Sequence, residues 1–76
     1  GVTFTRLEAQ QVLRTANGAT RFQLDDIAEL DARATDGMIA ARPFADLAEL
    51  AAASHVGPTT LRKLKVYAPK YSRLQF

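Results

Sequence analysis

Apolar residues recur along most of the chain at the three- and four-residue spacing that places side chains on one face of a helix. No stretch alternates for long enough to predict a strand. The pattern predicts short helices at about 5–16, 21–29, 32–41, 46–54 and 58–68. Helices of this length are unstable alone, so we expect them to pack together in an all-α bundle. The apolar residues expected in its core are Leu7, Val12, Leu13, Phe22, Leu24, Ile27, Leu30, Met38, Ile39, Phe44, Leu47, Leu50, Leu61, Leu64 and Tyr67.

Polar residues indicate where these helices begin and end. Thr5–Glu8 and Thr20–Gln23 have the spacing of a capping box, in which both side chains accept hydrogen bonds from backbone N–H groups at a helix start. Asp46 has the position of an N-cap before the fourth helix. Asn17-Gly18 predicts a helix end because both residues tolerate the left-handed conformation. Arg42-Pro43 predicts another end because proline disfavours helical conformation in the residue before it.

The helices fall into two pairs with short connections. Two or three residues join the helices of the first pair, three join those of the second, and Arg42–Ala45 links the pairs. We therefore expect one domain over residues 1–76. Its predicted parts are a lead-in helix at 5–16, a first helix–turn–helix unit at 21–41, a second unit at 46–68 and a tail at 69–76.

The turn of the second unit reads His55-Val56-Gly57 and is followed by a helix that starts with Pro58. This arrangement resembles the tandem helix-hairpin-helix family, whose hairpins usually carry a hydrophobic residue between two glycines. Val56 matches the hydrophobic residue and Gly57 the second glycine, whereas His55 stands at the first glycine. The resemblance extends from Ala16 to Ala68. It implies two helix-hairpin-helix motifs and binding to the phosphate backbone of double-stranded DNA from the minor groove, without sequence preference.

The first hairpin departs further from the family pattern, because Glu29-Leu30-Asp31 replaces both glycines. Leu30 is still expected to enter the core. Asp31 is well placed to cap the helix that follows, and its carboxylate would repel phosphate. Only Arg33 therefore keeps an expected role in DNA binding there.

The residues of the second hairpin suit an anion. Gly57 allows a positive φ and a close approach of the backbone, and Pro58 suits the first helical position. N–H groups at a helix start attract phosphate, threonine hydroxyls add hydrogen bonds, and two cations follow within a turn. The predicted DNA-binding residues are His55, Val56, Gly57, Thr59, Thr60, Arg62 and Lys63, together with Arg33. The alternative interpretation is a simple tight turn with a well-capped helix, in which His55 is only a turn residue.

Charge is distributed unevenly along the chain. Residues 1–57 contain five Lys or Arg and eight Asp or Glu, a balance of −3, whereas residues 58–76 contain five Lys or Arg and no acid, a balance of +5. A basic end on a near-neutral body is typical of a domain that contacts a polyanion or an acidic protein surface. A solvated terminal helix explains the same distribution.

Composition limits the chemistry that the chain can perform. It has no cysteine and one histidine, so we expect neither a metal site nor another cofactor. The acidic residues Asp25, Asp26, Glu29, Asp31 and Asp36 are better explained as a solvated surface than as ligands of a catalytic metal. No glycine-rich nucleotide loop or nucleophile motif is present. We therefore expect a binding module and not an enzyme.

Two functions stay open at the level of sequence. The first is non-specific DNA binding through the second hairpin; the alternative is a protein-interaction, docking or regulatory module of a larger protein. Because the chain begins with Gly1 and not Met, we expect a processed product or a domain of a larger parent. No apolar run approaches the roughly 20 residues that span a bilayer, so no membrane partner is expected. The lack of cysteine is compatible with the cytoplasm and also with export, so the location stays unknown, with the cytoplasm expected ahead of secretion.

Overall fold

The computed structural model describes residues 2–74, and they form helices joined by short turns. The four α-helices are α1 (Arg6–Gly18), α2 (Ala32–Ala41), α3 (Leu47–Ala51) and α4 (Pro58–Leu74), and a π-helical turn (Gln23–Ile27) lies between α1 and α2. None of the described residues is in a strand. The predicted all-α bundle of about five helices is therefore confirmed. Its principal extents are 27 × 25 × 20 Å, and α1 packs most extensively on α4.

The predicted caps are confirmed. The Glu8 N–H donates to Thr5 Oγ1 at 3.1 Å and the Thr5 N–H donates to Glu8 Oε1 at 2.8 Å. This second bond is the main reason that the pKa of Glu8 is lowered. The same reciprocal pair joins Thr20 and Gln23, with distances of 2.9 and 3.1 Å. Asp46 caps α3, since its Oδ1 accepts from the Glu49 N–H at 2.9 Å.

The end of α1 differs from the prediction. The helix ends at Gly18 as expected, but Gly18 is not left-handed and the chain leaves through an extended Ala19. Asn17 fixes this end by tertiary contact: its Nδ2 donates to the Phe44 carbonyl at 3.0 Å, and the Phe44 N–H donates to its Oδ1 at 2.6 Å. Arg42 Nη1 donates to the Ala19 carbonyl at 2.6 Å. These bonds tie the linker between the two helix pairs to the end of α1.

The last helix is longer than predicted. We expected a helix to about 68 and a tail from 69, but α4 continues through Pro69 to Leu74. An internal proline costs a helix about 3 kcal/mol, and the burial of Ala68 and Tyr71 opposes this cost. Tyr71 packs against α1 so closely that a Cβ built on Gly18 would lie 2.7 Å from its hydroxyl oxygen. Helix α3, which corresponds to the predicted helix at 46–54, ends at Ala51.

The core is close to the predicted set, with informative exceptions. Buried residues from every helix share one cluster, which is Val12, Ala16, Ala19, Leu24, Ala28, Leu30, Met38, Phe44, Leu50, Val56, Leu64, Tyr67, Ala68 and Tyr71. Leu61 is only partly buried at its edge. The prediction was wrong for Leu7, Phe22 and Ile27, which are 62%, 61% and 48% exposed. Leu7 lies five residues, or about 140° around the helix, from the buried Val12.

Candidate nucleic-acid interface

The two hairpins have the same backbone feature at equivalent positions. Glu29 has φ 64° and His55 has φ 67°, and these are the only non-glycine residues with positive φ in the part of the chain that the structure describes. Each is followed by a buried apolar residue, Leu30 or Val56. A left-handed conformation costs a non-glycine residue about 1–2 kcal/mol. In each hairpin, the burial of the apolar residue that follows the left-handed one opposes this cost.

This geometry corrects two predictions for the second hairpin. Gly57 does not have a positive φ; the left-handed residue is His55, two positions earlier. Val56 is buried in the core cluster, so its side chain anchors the hairpin and does not face a ligand. Both differences have one cause. The chain reverses direction at the left-handed His55, and this reversal directs the Val56 side chain into the core.

Gly57 leaves the start of α4 without a side-chain cap. The Leu61 N–H donates to the Gly57 carbonyl at 3.0 Å, which makes Gly57 the N-cap residue. A Cβ built on Gly57 would meet nothing within 4 Å, so the space beyond it is open. Helices α1, α2 and α3 each have a side-chain oxygen from Thr5, Asp31 or Asp46 at this position. In α4, the Thr59 and Thr60 N–H groups have no hydrogen-bond partner among residues 2–74.

The two threonines of this helix start are placed differently. The side chain of Thr59 is exposed beside the open N-terminus. Thr60 is buried, so the expectation that its hydroxyl faces a phosphate was wrong. The cause is its position on α4, one residue from Leu61 and four from the buried Leu64, on the side that packs inward. Thr60 can therefore offer its backbone N–H but not its hydroxyl.

The cations of the interface come from both hairpins. Arg62 and Lys63 are exposed on α4, and Arg33 is exposed in the first turn of α2. Lys63 Nζ donates to the Glu29 carbonyl at 2.7 Å, so the second turn of α4 lies against the first hairpin. The sequence did not predict that the Glu29 carbonyl accepts this bond. The one signal was that Glu29 directly precedes the apolar Leu30, as His55 directly precedes Val56 in the second hairpin.

The first hairpin lacks an open helix start. Asp31 Oδ1 accepts from the Ala34 N–H at 2.7 Å, as expected for an N-cap. The carboxylate therefore already occupies the end of α2 that a phosphate would approach. Arg33 is the one predicted DNA-binding residue of this hairpin, and it is exposed in the first turn of α2.

Neither a metal-ligand cluster nor a membrane-spanning helix is found in the described chain. Residues 2–74 contain no group of three or more His, Asp or Glu side chains that could hold a metal ion. Within the same range, no helix is both long enough and apolar enough to span a membrane. Comparisons with protein-family models, curated proteins and solved structures gave no match. Function is therefore inferred from the two hairpins.

Proposed function

We propose that this chain is a helix-hairpin-helix-like domain that binds the phosphate backbone of double-stranded DNA through the second hairpin and the start of α4. The observation that supports this role best is the open N-terminus of α4. Gly57 places no side chain there, the Thr59 and Thr60 N–H groups have no partner among the described residues, and two exposed cations follow within about a turn and a half.

The electrostatics of this helix start favour an anion. Backbone N–H groups at the start of a helix carry the positive end of the helix dipole. Arg62 and Lys63 add two full charges, and residues 58–76 contain no acid. A phosphate at the open end would meet amides and cations together. Neither group distinguishes one base from another, so binding through them is independent of DNA sequence.

The first hairpin supports this surface without supplying a second phosphate site. Lys63 donates one of its three N–H groups to the Glu29 carbonyl, which leaves two for a ligand. The contact fixes the ammonium group between the hairpins. Asp31 excludes phosphate from the start of α2, so Arg33 contributes charge alone.

The proposal is tested by titrating the folded chain with short duplexes of unrelated sequence over a range of salt concentrations. With three to five phosphate contacts, the slope of log K against log salt should be about −3 to −4. Affinity should be roughly micromolar or weaker, as expected for one small non-specific module. Fluorescence anisotropy measures both quantities.

Paired variants identify the contact surface. Arg62→Gln with Lys63→Gln should reduce the steepness of the slope by about two on every duplex. The control is Arg6→Gln with Lys70→Gln, which removes the same charge from exposed positions outside the second hairpin and the first two turns of α4. Equal losses in the two pairs would show that only net charge matters. No binding at low salt by folded protein would reject DNA as the partner.

A second candidate function is a protein-docking module, which the exposed apolar residues Phe22 and Ile27 favour. Both belong to the segment around the π-helical turn. Large apolar side chains at this exposure are typical of interaction surfaces when they form one patch. Under this function duplex binding should be absent at every salt concentration. Under the DNA-binding function, Phe22→Ser should leave the affinity for DNA unchanged.

A further inference from the structure

A groove between α1 and α4 is a separate candidate site. It has a volume of about 190 Å³, and its walls include Leu7, Gln11 and Arg14 from α1 with Pro69, Ser72 and Arg73 from α4. The α4 residues follow Gly57 by 12 to 16 positions, which is about 18–24 Å along the helix axis. The groove is thus distinct from the second hairpin.

The groove is lined by two cations that no carboxylate of residues 2–74 pairs with. Arg14 and Arg73 come from different helices and both line it. Salt bridges within the described chain join Arg21 to Asp36 and Lys65 to Glu8, and no carboxylate of that part pairs with Arg14 or Arg73. Two guanidinium groups that line one groove, with no carboxylate paired to them in residues 2–74, favour a bound anion through charge-assisted hydrogen bonds.

The remaining walls are suited to an apolar group and to an acceptor atom. Leu7 is 62% exposed although it is a large hydrophobic residue, and Pro69 lies across from it in the other helix. Ser72 is 7% exposed, and its hydroxyl has no hydrogen-bond partner among the described residues. A buried hydroxyl without a partner is unfavourable, and Ser72 lines the groove in which an acceptor atom would be bound.

We infer that this groove binds a small organic anion, with one phosphate or carboxylate group on an apolar body about the size of a single ring. The size follows from the volume, since a cavity of about 150 Å³ holds benzene. The anionic group contacts Arg14 and Arg73, and the apolar body covers Leu7 and Pro69. This combination of an apolar wall with few polar groups is the usual composition of a small-molecule site.

The inference is tested with phenyl phosphate as the probe, titrated into the isotope-labelled chain and followed by amide chemical shifts. Saturable shifts are expected in α1 between Leu7 and Arg14 and in α4 around Pro69–Arg73. Shifts at residues 55–60 report the separate phosphate site proposed at the second hairpin and are fitted on their own. Arg14→Gln with Arg73→Gln should weaken binding about tenfold or more. The control, Arg6→Gln with Lys70→Gln, changes the same charge on the same helices outside the groove and should leave the affinity unchanged.

Inorganic phosphate and Leu7→Ser test the apolar part of the inference. Phenyl phosphate should bind more tightly than inorganic phosphate, and Leu7→Ser should remove this difference. Any of three results overturns the inference. The first is no saturable shift in the groove of the unaltered chain, and the second is equal affinity for phenyl phosphate and inorganic phosphate. The third is equal weakening of binding by the Arg14/Arg73 double variant and by the Arg6/Lys70 control. The first result is obtained with the unaltered chain, so it tests the inference even if a variant fails to fold.

Discussion

Residue 57 offers a substitution that should separate fold stability from phosphate binding. Gly57 and Asp31 have the same place in the two hairpins, each two residues after the left-handed one. Asp31 caps its helix through the N–H of the residue three positions later, Ala34. In Gly57→Asp the new carboxylate should reach the Thr60 N–H in the same way. The backbone permits this change, because a Cβ at Gly57 meets nothing within 4 Å and its φ is not positive.

The effect on stability should be a modest gain. An N-cap Asp is better than Gly by a few tenths of a kcal/mol, and a carboxylate near the helix dipole adds about 0.3–1 kcal/mol. The free energy of unfolding should therefore rise by about 0.5–1 kcal/mol. For a domain of this size, this corresponds to a rise in Tm of about 2–8 °C.

The effect on DNA binding should have the opposite sign. The carboxylate occupies the amides that a phosphate would use and repels the phosphate as well. Affinity at low salt should fall about tenfold or more, which is a loss of at least about 1.4 kcal/mol. Gly57→Asn is the matched control, because it caps equally well without the charge. Its loss of affinity should lie between that of Gly57→Asp and that of the weakly perturbing Gly57→Ala.

Thermal denaturation followed by circular dichroism and anisotropy titration of a short duplex give the two quantities on the same samples. A more stable Gly57→Asp that binds DNA as well as the unaltered chain would refute phosphate binding at this helix start. If Gly57→Asp changes neither the Tm nor the affinity for DNA, the carboxylate does not reach the amides. Loss of stability would contradict the open space and the backbone geometry described for Gly57.

Three further substitutions test the packing of the fold by chemical denaturation. Leu64→Ala should lower the free energy of unfolding by about 2–5 kcal/mol, since Leu64 is fully buried, and a loss under about 1 kcal/mol would remove it from the core. Gly37→Ala should destabilise by about 1–3 kcal/mol, because its Cβ would lie 2.8 Å from the Ser54 carbonyl oxygen; a gain in stability would contradict this close approach. Asn17→Ala should cost about 1–3 kcal/mol through its lost bonds to Phe44, and an unchanged midpoint would show that the linker needs no such tie.

Features that depend on a few neighbouring residues were predicted correctly from sequence. The capping boxes at Thr5 and Thr20 and the cap at Asp31 each join residues three positions apart. Their formation is decided by local backbone geometry, whatever the rest of the chain does. The all-α character follows from the same local signals together with the apolar periodicity.

Features that depend on tertiary contact were not predicted. The end of α4 is one example, because proline predicts a break, whereas the burial of Ala68 and of Tyr71, which packs against Gly18, favours a continued helix. Another is the exposure of Phe22, directly before the π-helical turn, and of Ile27, its last residue. The wider turn changes which side chains share a face, and no residue pattern indicated it beforehand.

In the candidate site, too, local features were predicted from sequence and features that depend on tertiary contact were not. The cations and Thr59 are exposed as the sequence indicated, because charge and helix position are local properties, and their role in DNA binding stays a prediction. The left-handed residues were assigned wrongly, since glycine is the residue that takes positive φ most easily and the sequence offers one at Gly57. Glu29 and His55 take this conformation instead, and each precedes a residue that must enter the core.

The comparison of the hairpins shows how one backbone can serve two purposes. In both, a left-handed residue is followed by a buried apolar anchor and then by the N-cap of a helix. The first two positions are determined by folding, so they are equivalent in the two hairpins despite their different residues. The third position faces solvent, where Asp31 satisfies its helix internally and Gly57 does not. Because the fold does not require Gly57 to be glycine, what its small size provides is access to the amides of α4.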